Sequence, residues 1–171
     1  MHASQSRQSL VAVDTNVLLD LAADLEDVTD AMVVIRRRLR EAHFLMPPTV
    51  REELAEEALH SDNFQKKESA LRGFQLSRTW NIQPVELFTA QHEMAGRISR
   101  HVRSSGLLPR EEVNDGLILA EAALLGCSLL LTSDEHLRGI DFERLSFELN
   151  AFGVAVPVIA TPREIVRKFF R

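Results

Sequence analysis

The sequence has one cysteine, Cys127, in 171 residues. A single thiol cannot close an internal disulfide, which excludes a cross-linked secreted scaffold and points to a reducing, cytoplasmic setting. Cys127 itself follows Gly126 at the end of an apolar segment and reads as a small buried hydrophobe. Positive charge is also short. The 20 Lys and Arg against 25 Asp and Glu give a formal net charge of -5, unlike a protein that holds nucleic acid by bulk charge. No stretch approaches the roughly 18 apolar residues of a membrane span, and residues 1–9 are polar, without the apolar centre of a signal peptide. Cysteine and histidine do not cluster at ligand spacing, so a zinc site is not expected. Repeats and low-complexity tracts are lacking too.

What is present is a regular alternation of short apolar runs and helical patterns. The length fits one domain over residues 1–171, with 1–9 as a flexible extension. Residues 10–13, Leu-Val-Ala-Val, read as a buried strand that emerges at Asp14. Helical spacing follows over 16–23 and 27–41, the second with a basic end, Arg36 to Arg40, that suits either the helix dipole or an RNA contact. A strand over 43–46 stops at Pro47-Pro48, and proline in a first turn starts the next helix with Glu52, Glu53 and Leu54. Residues 61–79 are helical, with Phe64, Leu71, Phe74 and Leu76 as inward positions. Residues 80–85 form an edge strand, since Pro84 cannot donate to a ladder.

A helix over 86–102 carries Arg97, Arg100 and Arg103 at three-residue spacing, a phosphate-contacting stripe or simply a solvated face. The helix over 111–125 buries Val113, Leu117, Ile118, Ala120 and Leu124 and ends at Gly126 as a left-handed cap. A strand over 128–132, a short helix after Asp134, a last strand over 153–159 and a closing helix complete the chain; Thr161 and Glu164 are spaced as a capping box. The expected fold is α/β, a three-layer α/β/α sandwich around a mostly parallel, doubly wound sheet of about five strands.

Ligands bind outside the carboxyl ends of such strands, and acids gather there. Asp14 and Asp134 end strands, Asp115 opens a helix, and Glu52 or Glu53 lies in the first turns of another. Several carboxylates brought together raise one another's pKa unless a cation neutralises them, and a hard divalent ion such as Mg2+ or Mn2+ suits oxygen ligands. Helix capping is the ordinary explanation for each acid taken singly. An alternative phosphoryl-transfer enzyme with Asp14 as nucleophile is disfavoured by Asn16 two residues on and by the lack of a lysine between Thr132 and Lys168.

Four stretches in this order resemble the signatures of PIN domains: Asp14-Thr15-Asn16, Pro47 to Leu54, Asn114 to Ala120, and Leu131 to Asp134. Phe152 to Pro157 with Thr161-Pro162 is similar to that family's last strand and helix start. The resemblance implies a metal-dependent endoribonuclease using Mg2+ or Mn2+, including the toxins of toxin–antitoxin pairs. It makes Asp14, Asp115 and Asp134 metal ligands and catalytic acids, together with Glu53, which stands directly before Leu54. Asn16 and Thr132 would orient carboxylates; a helix N-cap and a strand-end turn are their plainer roles. Arg97, Arg100 and Arg110 would hold the RNA backbone, and an antitoxin protein and a second copy are the implied protein partners. A scaffold that binds RNA or a protein without cutting is the alternative. His136 and Leu137 stand where many relatives carry a further acid and an aromatic residue, which implies a smaller ligand set.

Overall fold

The computed structural model describes residues 8–39 and 41–169. Most of the expected flexible extension, and Arg40, lie outside the described residues; Ser9 is already in a strand. Five parallel strands, β1 (Ser9–Val13), β2 (Ala42–Met46), β3 (Ile82–Pro84), β4 (Leu129–Leu131) and β5 (Val158–Ala160), form one sheet in the order β3-β2-β1-β4-β5. In register, Val11 lies beside Phe44 on one side and Leu129 on the other. From β1 the chain first builds outward to β3, then returns to place β4 and β5 on the opposite side. The order therefore reverses at β1, and the crevice between the ends of β1 and β4 is where such a sheet opens to a ligand.

Nine helices cover the sheet among the described residues: α1 (Thr15–Ala22), α2 (Glu26–Arg38), α3 (Pro48–His60), α4 (Phe64–Thr79), α5 (Thr89–Ser104), α6 (Val113–Leu124), α7 (Glu135–Arg138), α8 (Phe142–Asn150) and α9 (Pro162–Phe169). Val11, Ala12 and Val13 are all fully buried. Successive strand residues point to opposite faces, so both faces of β1 are covered, and the three-layer α/β/α arrangement follows. Helix α2 packs on α9, α1 on α4, α3 on both α4 and α6, and α5 on α6.

Local chemistry sets the boundaries. Gly126 adopts φ +74° past α6, as a left-handed cap requires. Thr161 and Glu164 form the reciprocal capping box of α9, with bonds of 2.9 and 3.1 Å. Cys127 is buried, and burial pushes its thiol up to about 12.

Several expectations are corrected. In α4, Phe64 and Leu71 are 75 % and 53 % exposed, whereas Phe74 and Leu76 pack half-buried against the core as expected, and the fully buried positions are Ala70, Gly73 and Ser77. Small residues let α4 approach closely: a β-carbon on Gly73 would lie 3.6 Å from the Leu18 carbonyl and 3.7 Å from a Leu54 methyl. Val113 is exposed because the buried face of α6 begins only at Gly116, where a β-carbon would meet Ser99 Oγ at 2.5 Å. The last strand is confined to β5, since residues 153–157 turn through Gly153 at φ +66° and end on Pro157. Residues 139–152, to which the sequence reading assigns no element, contain α8. Asp141 caps it by accepting from the Arg144 N–H at 2.8 Å, and Leu145 and Leu149 are its buried anchors. Arg36 packs over the rings of Phe44 and Trp80 at 5.3 and 5.2 Å and donates to the Trp80 carbonyl, so it holds structure together.

The packing around Gly73 leaves ordinary van der Waals space for a methyl group. Gly73→Ala is therefore expected to stabilise by up to about 1 kcal/mol through helix propensity, a rise of roughly 2–4 °C in Tm. A fall in Tm in a thermal melt would show that the α1–α4 approach tolerates no side chain.

Candidate functional site

Asp14 is the first residue beyond β1, and its backbone N–H donates to the Leu131 carbonyl at 3.0 Å, extending the β1–β4 pairing to the site. Its carboxylate is 2 % exposed and fully engaged. One oxygen accepts from the Thr15 N–H at 2.6 Å, which makes Asp14 the N-cap of α1. The other accepts from Thr132 Oγ1 at 2.6 Å and Asn16 Nδ2 at 3.1 Å. Thr132 Oγ1 accepts in turn from the Asp134 N–H at 2.9 Å, and Asn16 Oδ1 accepts from the Ser133 N–H at 2.9 Å. Both residues thus join the ends of β1 and β4 through Asp14: Asn16 lies inside the first turn of α1 rather than at its N-cap, and its amide bridges to the loop after β4, while Thr132 also serves as the strand-end turn residue by accepting from the N–H two residues on.

Asp134 caps α7, with one oxygen accepting from the N–H groups of His136 and Leu137 at 2.8 and 3.0 Å. Glu53, in the second turn of α3, accepts from Thr15 Oγ1 and from Asn114 Nδ2, the latter at 2.8 Å. Glu52 is exposed and has no such pair of ties. Asp115, in the first turn of α6, has one oxygen, Oδ2, buried without a hydrogen-bond partner. Glu112 sits at the start of the same helix and pairs with His136 at 3.5 Å.

The four acids are electrostatic neighbours. Burial pushes the Asp14 carboxyl up to about 6; the bonds from Thr132 and Thr15 oppose this, and the charges of Glu53 and Asp134 add to it. Burial also pushes Asp115 up to about 7, reinforced by Asp134, Asp14, Glu112 and Glu53. A cleft of about 530 Å³ lies over this edge, lined by Asp14, Asn16, Glu52, Glu53 and Asp115 among others, with no Lys or Arg in its lining. Among the described residues, no three His, Cys, Asp or Glu side chains are assembled closely enough to hold a metal ion as they stand. A closed cage is not required, since magnesium keeps several waters and takes one or two carboxylates. The donor set is all oxygen, and the orphaned Asp115 Oδ2 is the kind of buried acceptor a cation satisfies. These residues fit a hard divalent ion.

The arginines do not join the acids. Arg97 and Arg100 line a shallow hollow on α5 with His92, Glu93 and Gly96, which shares no residue with the acidic cleft, and Arg110 is exposed. Arg103 leaves the expected stripe: it is half-buried against α6 and donates to the Arg110 carbonyl at 2.6 Å. Thr15 and Asn114, which fasten Glu53, are the partners that sequence reasoning missed; each stands beside an assigned acid, which was the available signal.

The PIN domain family model matches residues 11–143, and the chain belongs to that family. Similar solved structures include VapBC2 from Rickettsia felis bound to a DNA fragment from their promoter, at 13 % identity and TM-score 0.61, covering 89 % of this chain and 98 % of that one. VapBC-5 of Mycobacterium tuberculosis, a member of a family of toxin–antitoxin systems, is 19 % identical with TM-score 0.54, covering 90 % and 98 %. VapBC-1 from nontypeable Haemophilus influenzae is 15 % identical with TM-score 0.56, at the same coverages. No curated protein matches the chain in sequence.

The raised acids make stability depend on pH. Free aspartate releases its proton near 3.8, whereas folded Asp115 keeps it to about 7. The native state therefore binds more protons than the unfolded chain in this window, and stability is lost as pH rises through it. Asp115→Asn removes that loss, so in EDTA its Tm relative to wild type should climb between pH 4 and 7 and then level. A difference independent of pH would refute the assignment.

Proposed function

We propose that this PIN-domain protein is a metal-dependent endoribonuclease, the toxin of a toxin–antitoxin pair, and that Asp14, Glu53, Asp115 and Asp134 hold a Mg2+ or Mn2+ ion. The observation that carries the reading is an acidic cleft lined by Asp14, Glu53 and Asp115, with Asp115 Oδ2 buried and unpartnered and the Asp134 charge acting on Asp115. A divalent ion bound there supplies Lewis acidity, lowering the pKa of a water and neutralising charge on a phosphodiester.

The chain's own residues prepare that chemistry. Thr132 and Asn16 hold one oxygen of Asp14 and the Thr15 N–H holds the other, so the carboxylate is oriented before anything binds. Thr15 and Asn114 do the same for Glu53. Arg97, Arg100 and Arg110, exposed on and beside α5, are the cations available to an RNA backbone. The VapBC neighbours support an antitoxin as protein partner. Among the described residues no helix is long and apolar enough to cross a membrane.

The test is cleavage of a mixed RNA panel in Mn2+, Mg2+ or EDTA by the wild type and an identically prepared Asp115→Asn variant. Cleavage that needs metal and disappears in the variant is the expected result; equal cleavage by both indicates a contaminant. Silence in both favours the scaffold that binds without cutting where metal-dependent melting is also absent, and a narrower RNA substrate where it is retained.

Metal binding has its own readout. Mn2+ at about 100 times its Kd should raise stability by roughly 2.7 kcal/mol. Asp14→Asn should erase most of that melting shift, and an unchanged shift would count against this site.

A further inference from the structure

On the nuclease reading, from which it follows, we propose that Glu121 is a positioning residue: buried in the last turn of α6, it fastens the first turn of α3 so that Glu53 is held toward Asp14 and Asp115. The starting observation is an acid where none is expected. Glu121 is 3 % exposed amid Ile118, Leu119, Ala120, Ala122 and Ala123, all buried. Burial pushes its carboxyl up, and bonds from Thr49 only partly oppose this. A packing role alone would be served better by an apolar residue, because a buried polar group costs free energy unless it is bonded.

The two oxygens have one partner residue. Oε1 accepts from Thr49 Oγ1 at 2.7 Å and Oε2 from the Thr49 N–H at 3.1 Å. Helix α3 needs this. Its N-cap is Pro47, which makes no side-chain cap bond, and Pro48 follows. The first-turn N–H groups of a helix need acceptors, and here α6 supplies one from outside.

Thr49 and Glu53 are four apart and lie on one face of α3. Glu53 is tied to Asn114, at the start of α6, at 2.8 Å. Asn114 and Glu121 are seven apart, roughly 10 Å along the helix. Helix α6 thus grips α3 at two separated points. A helix pinned at one point can pivot; pinned at two, it presents Glu53 in a fixed direction.

The test uses Glu121→Leu, Glu121→Gln, Thr49→Ala and the Glu121→Leu/Thr49→Ala double variant. Each is measured for melting without metal, for the Mn2+ midpoint of the melting shift, and for kcat and KM on the RNA panel. We expect Glu121→Leu to raise the Mn2+ midpoint about tenfold and to lower kcat roughly ten- to a hundredfold, with KM nearly unchanged. Glu121→Gln, which keeps one acceptor oxygen, should recover part of both. Thr49→Ala, which removes the hydroxyl bond and keeps the backbone N–H bond, should show a smaller effect in the same direction, and the double should be no worse than Glu121→Leu alone, since the leucine already breaks both bonds. Effects confined to Tm, or additive in the double variant, would overturn the positioning role and leave the nuclease reading standing. A wild type that neither cleaves nor responds to Mn2+ would overturn both.

Discussion

The carboxylate of Asp14 has been taken out of water at the end of the central strand, and a charge in that position must be hydrogen-bonded, protonated or paired with a cation. Raising its pKa from 3.8 to about 6 corresponds to about 3 kcal/mol against ionisation. That balance already includes the opposing bonds from Thr132 and from the Thr15 N–H at the start of α1. Burial and neighbouring charge therefore win over capping, and the folded chain holds a strained set of acids at this edge. Everything around the cleft answers to that demand: Thr132, Asn16 and Thr15 satisfy the oxygens of Asp14, and Thr15 and Asn114 satisfy Glu53.

Topology explains why the acids meet. In a parallel sheet the helices that follow strands begin at the strands' carboxyl edge, so residues at helix starts are delivered there from distant parts of the sequence. Asp14 caps α1 after β1 and Asp134 caps α7 after β4; Asp115 lies in the first turn of α6, which follows α5 rather than a strand and is positioned by its packing on α5 and α3. Glu53 arrives one turn later, in α3, and is the acid whose direction depends most on how its helix is held. The fold supplies proximity, and the hydrogen bonds supply orientation.

Much of this was legible in the sequence where chemistry is local. The strand ending in Asp14, the capping box of Thr161 and Glu164 and the turn at Gly126 each depend on a few adjacent residues. Where tertiary packing decides, periodicity misled. In α4, helix–helix approach selected Ala70, Gly73 and Ser77 and left Phe64 and Leu71 outside, the reverse of a hydrophobicity reading. Helix α8 was hidden because Phe142 and Phe147 are exposed and blur the stripe of Leu145 and Leu149. The candidate acids stand at strand ends and helix starts that the sequence marks, whereas Glu121 carries no such mark, because its bonded partner Thr49 is 72 residues away.

The placement of cations bears on how a polyanion would reach such an edge. The cleft lining contains acids and no Lys or Arg, and the chain carries a net charge of -5. Left to these charges alone, a phosphate backbone is repelled from the crevice. The exposed Arg97 and Arg100 lie in a separate hollow, and Arg103 is withdrawn toward α6. Under the proposed function, attraction at the crevice must therefore come from a bound cation, and the α5 arginines act at a distance from it. Metal and RNA are then linked ligands: each raises the affinity for the other by the same factor. An acidic lining that looks ill suited to nucleic acid becomes the feature that makes binding of RNA conditional on metal.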